Sequence, residues 1–161
     1  MYWDFESMFP PSEEKIKPKI VLYWGVIGLV ADVLNVSVEG LALKVLAHEW
    51  GHAYSHVAID IDGQHWHSES FRHSDRYVKE GIAQYCALKV IEKLEHRVPD
   101  ARDAYEKLYR EQPEYYRAHL PWLDLNPEEI RQAMLLARRS GRSVIREFND
   151  ALNEARRLLR R

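Results

Sequence analysis

Read as a helix, the stretch from Val38 to Val57 is apolar around nearly its whole circumference, yet it contains His48, Glu49 and His52. Leu41, Ala42, Leu43, Val45, Leu46, Ala47, Trp50 and Ala53 leave no continuous polar face, which predicts a helix buried in the middle of a domain. Two imidazoles and a carboxylate are costly in such surroundings unless they are hydrogen-bonded or hold an ion. Residues four apart stand one above the other on a helix, so His48 and His52 can reach one metal. Glu49 is turned about 100° from His48, close enough to serve a metal-activated water without being a ligand. The pattern His-Glu-x-x-His on a helix is that of a zinc site with a built-in base.

A catalytic zinc needs a third protein ligand and keeps one position open. A second long helix is expected from a cap at Ser74 or Asp75 to about His96, halted by Pro99. On it Glu80 shares a stripe with Ala83, Ala87, Ile91 and Leu94, which turns its carboxylate inward. A divalent metal is the natural partner for a buried carboxylate. Gly81 costs about 1 kcal/mol relative to alanine in a helix interior, and close approach to the first helix would account for it. The loop histidines His65, His67 and His73 compete for the same role. His56 marks the helix end.

His48-Glu49-Trp50-Gly51-His52, followed by Lys79-Glu80-Gly81-Ile82-Ala83, resembles the gluzincin clan of metallopeptidases. Its thermolysin-like and aminopeptidase-N-like members often carry a second motif reading N-E-G-x-A. The resemblance covers roughly residues 37–95. It implies that His48 and His52 are the histidine ligands, Glu80 the glutamate ligand and Glu49 the general base, with one zinc ion (Zn2+) per chain. It also implies a tyrosine or histidine that steadies the oxyanion; Tyr105, Tyr109, Tyr115, Tyr116 and His119 all qualify by type. The 27 residues between His52 and Glu80 make a longer loop than the best-known members have. The metzincin pattern fails, because Ser55 and Ala58 stand where it needs a glycine and a ligand. Asp60-Ile61-Asp62-Gly63 reads as a turn, not a calcium loop.

The run Ile20-Val21-Leu22-Tyr23-Trp24 is the best strand candidate, with a short helix following through Leu34. Ser37 reads as the cap of the first long helix, with Glu39 in its first turn. Further helices are expected over 101–111, after Asn126-Pro127-Glu128, and beyond Ser140-Gly141, where Val144, Phe148, Leu152 and Leu158-Leu159 form an apolar side. The expected class is α+β, predominantly helical: a minimal zincin-like catalytic domain over 1–125 with a short N-terminal strand region, then a helical extension over 126–161.

With 161 residues and one cysteine, Cys86, the chain needs a core without disulfides, which points to a reducing, cytoplasmic setting. Cys86 reads as a helical core residue. No stretch is long and apolar enough to span a bilayer, so no membrane partner is expected. Residues from 131 onward carry nine arginines and three acids, a balance of +6 against −8 for residues 1–130. The favoured reading is a solvated helix lying on an acidic body. A phosphate-binding role for Arg138, Arg139, Arg142 and Arg146 is the less favoured one.

The expected function is zinc-dependent hydrolysis of peptide bonds in a peptide or protein substrate. The alternative is a regulatory, toxin-like or DNA-associated module whose metal is structural or serves one dedicated cleavage.

Overall fold

Helix starts follow the side chains able to satisfy their first amides. The computed structural model describes residues 19–57, 73–140 and 144–160. Among these residues six α-helices run in order: α1 (Trp24–Leu34), α2 (Val38–Val57), α3 (Arg76–Leu94), α4 (Ala101–Glu111), α5 (Pro127–Ser140) and α6 (Ile145–Leu159), with 3-10 turns at Glu114–Arg117 and Leu120–Trp122. Ser37 Oγ accepts from the Gly40 amide at 3.0 Å, capping α2 as expected. Asp75, not Ser74, caps α3 by accepting from the Tyr77 amide at 2.6 Å. α5 opens on a reciprocal capping box: Asn126 Oδ1 accepts from the Glu129 amide and Glu129 Oε2 from the Asn126 amide, both at 2.9 Å. Pro127 occupies the first helical position, where its missing N–H costs nothing. α1 ends at Asn35, whose φ of 50° is left-handed backbone that asparagine tolerates.

The described residues contain no strand, so the α+β expectation is corrected to an all-helical fold. Ile20 to Leu22 have no regular structure, and Trp24 is already the first residue of α1. The cause is physical. β-propensity reflects packing on a pleated surface, and no described strand pairs with this run.

The centre of the fold is α3. Val78, Ile82 and Tyr85 pack with Trp122, Ile130, Met134, Phe148 and Leu152 from the elements that follow. Farther along the same helix, Ala87, Leu88 and Ile91 pack with Ala47 of α2 and with Ala101 and Tyr105 of α4. A third cluster joins Ile27 and Ala31 of α1 to Leu41, Ala42 and Ala104. α2 is therefore not buried all round, contrary to expectation. Trp50 is 67 % exposed.

Helices α5 and α6, within the expected extension, share one core with α3. The Trp122 indole N–H donates to Asn149 Oδ1 at 3.0 Å, and its ring lies 5.2 Å from that of Phe148. Arg156 reaches Asp124 at 3.1 Å and Glu129 at 3.5 Å, so part of the C-terminal basic charge is used against the acidic body.

Gly51 sets the distance between the two helices that matter most. A Cβ there would stand 2.7 Å from the Ala83 Cα, a clash with backbone that no rotamer relieves. Gly81 has a different neighbour from the one expected. Its missing Cβ makes room for the Trp122 ring, at 2.7 Å, and not for α2. Gly51→Ala is expected to lower stability by about 1–3 kcal/mol despite alanine's better helix propensity, because α2 and α3 must separate. Thermal denaturation of the purified variant checks this; an unchanged or higher midpoint would contradict the close approach.

Candidate metal centre

The closeness of α2 and α3 brings His48, His52 and Glu80 together. His48 Nε2 and His52 Nε2 are 3.2 Å apart, and Glu80 Oε2 lies 3.1 Å from the first and 3.4 Å from the second. Donors around one tetrahedral zinc at ordinary bond lengths stand about 3.3–3.4 Å from each other. The three donor atoms therefore already have nearly the spacing of one face of such a tetrahedron. Glu80 Oε2 is buried and accepts no well-formed hydrogen bond, although both imidazoles are beside it. Three lone-pair-bearing atoms converging on one point, one of them an orphaned carboxylate oxygen, form a donor set that fits a divalent cation. Among the described residues this is the group able to hold a metal.

The electrostatics keep His48 and Glu80 in their binding forms. Burial and the positive charge of Lys44 lower the His48 pKa to about 3, so its imidazole is neutral at physiological pH. Burial alone would raise the Glu80 pKa, but the adjacent imidazoles of His48 and His52 outweigh it and hold the carboxyl well below the usual carboxylate range. No proton has to leave His48 or Glu80 for a metal to bind near neutral pH.

Glu49 is buried, and its charge acts on both Lys44 and Tyr116, as does that of Glu80. It thus lies close enough to the triad to act on the same two neighbours as Glu80 does.

Lys44 went unnoticed in the sequence, although its spacing was a signal. It stands one turn before His48 on the stripe 44, 48, 52 and is 1 % exposed. Burial lowers its pKa to about 8 against the pull of Glu49 and Glu80. A lysine here supplies a positive charge beside two buried carboxylates, which offsets part of the cost of placing both in the interior.

The five expected oxyanion donors separate clearly. His119 Nδ1 donates to the Tyr116 carbonyl at 3.0 Å, which leaves its Nε2 to accept from the Tyr105 hydroxyl at 2.5 Å. Both side chains are buried and spent on each other, and burial lowers the His119 pKa to about 4. Tyr109 packs on that pair, and Tyr115 packs between Tyr77 and Tyr116. Tyr116 reaches the triad, its ring centroid lying 5.7 Å from that of His48. Burial, then the charge of Glu80, pushes its hydroxyl pKa up, so it stays a proton donor.

Of the competing residues, His73 is exposed and lies outside the triad. His65, His67, Asp60, Asp62, Ala58 and Arg142 lie outside the described residues. Burial pushes the Cys86 thiol up to about 11, in keeping with a core role. No family model matches the chain, and neither a curated protein nor a solved structure is detectably similar to it.

Proposed function

We propose that this protein is a zinc-dependent peptidase of gluzincin-like design, with His48, His52 and Glu80 holding the metal. The observation that carries the reading is the spacing of the three donor atoms, 3.1 to 3.4 Å, around an orphaned carboxylate oxygen. The neighbouring residues supply the rest of the chemistry such a site needs. Zinc bound there would polarise a carbonyl and lower the pKa of water.

Glu49 takes the proton of the attacking water as its oxygen bonds to the carbonyl carbon. As the C–N bond breaks, the same carboxyl delivers that proton to the leaving amine. The Tyr116 hydroxyl donates to the oxyanion that develops in between.

The test is hydrolysis of a quenched-fluorescence peptide library with and without chelator. Activity that chelation abolishes and added zinc restores is the expected result; activity indifferent to chelator would overturn the proposal. Tyr116→Phe is expected to keep its zinc and to lower kcat by about a hundredfold, the usual effect of losing one oxyanion donor. An equal loss in Tyr109→Phe, with Tyr116→Phe unaffected, would move that role elsewhere.

A further inference from the structure

The seam between α2 and α3 that holds the donor triad is closed at one end and open at the other. The two helices run antiparallel, Ala47 packing with Ala87 while Gly51 meets Ala83. One turn inward from His48 and Glu80 stand Lys44 and Gln84, which are 1 % and 0 % exposed. Toward the other end the His52 and Glu80 side chains are 21 % and 18 % exposed. One turn before Glu80 on α3 comes Arg76, which is exposed.

The Arg76 guanidinium is held on a shelf of aromatic rings. Its central carbon lies over the Tyr115 ring, 5.8 Å from the ring centre. The Tyr115 ring lies 4.9 Å from that of Tyr116, and the Tyr116 ring 5.7 Å from that of His48. Tyr77 meets Tyr115 edge-on at 6.3 Å. All three tyrosines are half-buried, so their rings form a partly accessible ledge between the triad and the guanidinium. The charge of Arg76 is felt at the Tyr116 hydroxyl. Among the described residues no carboxylate pairs with Arg76, whereas Arg102, Arg131 and Arg156 each have one.

We infer that Arg76, on its tyrosine shelf, anchors the substrate by binding a carboxylate of the peptide. The inference rests on the peptidase reading above and names the substrate class of that site. A guanidinium stacked on a ring keeps the N–H groups of its edge available for a bidentate pair, the geometry a carboxylate matches. Stacking also restrains the side chain beforehand, so less entropy is lost when the pair forms. The Tyr77 and Tyr115 rings offer apolar surface to the residue that bears the carboxylate. One helical turn is about 5.4 Å and one extended residue about 3.3 Å, so the carboxylate belongs within about three residues of the scissile bond. Its source is the free C-terminus of a peptide or an acidic side chain.

The test uses full-length, zinc-supplemented protein carrying Glu49→Gln, which slows turnover, titrated with dye-labelled peptides and followed by anisotropy. One pair of peptides differs only in a free or amidated C-terminus. A second pair, both amidated, differs only in a central glutamate or glutamine. In at least one pair the carboxylate form is expected to bind about tenfold more tightly, as a charge-assisted pair at a partly open site allows. The responding pair identifies the source. Adding Arg76→Gln should abolish the preference, and Arg76→Lys should keep part of it. Arg76 is exposed, so zinc content and circular dichroism should not change. No binding of any peptide, equal binding within both pairs, or a preference that survives Arg76→Gln would overturn the inference. Hydrolysis of the same peptides by wild-type protein separates it from the peptidase reading. A carboxylate preference in binding without chelator-sensitive hydrolysis keeps the anchor and removes the peptidase; hydrolysis without any preference does the reverse.

Discussion

The Glu49→Gln protein is expected to purify with as much zinc as the wild type and to hydrolyse peptides between about a hundredfold and ten-thousandfold more slowly, the range contributed by a general base. Glutamine fills nearly the same volume, so the packing around this buried position survives. The amide cannot accept a proton from water, so the base is lost while the metal donors are untouched. Lys44 and Tyr116 both feel the Glu49 charge, and removing it leaves Lys44 with Glu80 as its nearby acid. A modest fall in stability should accompany the kinetic loss. Two measurements on one preparation decide the matter: metal content by elemental analysis, and kcat/KM with a quenched peptide. Full activity with zinc in place would remove Glu49 from the mechanism.

Much of the architecture was legible because capping and helical periodicity are local. Ser37, Asp75 and Asn126 each stand where an amide needs an acceptor, and the helices begin next to them. The stripe of Glu80 with Ala83, Ala87 and Ile91 was legible for the same reason, and the last three are buried. What failed depended on what lies opposite a residue, which periodicity does not report. Ile20 to Trp24 has the composition of a strand, but no described strand pairs with it. Gly81 signalled a close approach correctly in kind, but Trp122 and not α2 fills the space, while the contact between α2 and α3 falls at Gly51 and Ala83. The exposed side of α1 was not legible, because its apolar residues exceed what its described neighbours cover. Choosing Tyr116 from five candidates required knowing that Tyr105 and His119 are spent on each other.

Removing Glu80 should have the larger consequence for the metal. Three donors share the binding free energy of a catalytic zinc, so losing one should weaken affinity by orders of magnitude, beyond the roughly 10–100-fold typical of residues that only support a ligand. Glu80→Ala also takes away the carboxylate that sits within 3.1 and 3.4 Å of the two imidazoles, leaving them with no anionic partner at that point. Glu80→Gln keeps the volume but weakens the donor, and it separates loss of metal from loss of packing. Single alanine substitutions at His65, His67 and His73 should leave the metal in place.

The most direct test is therefore the zinc content of wild-type and Glu80→Ala protein, each grown with zinc and gel-filtered. One zinc per wild-type chain and nearly none in Glu80→Ala is the expected result. A wild-type chain that binds no zinc would contradict the account. So would a Glu80→Ala chain that keeps its full complement while a substitution at His65 or His67 empties the site.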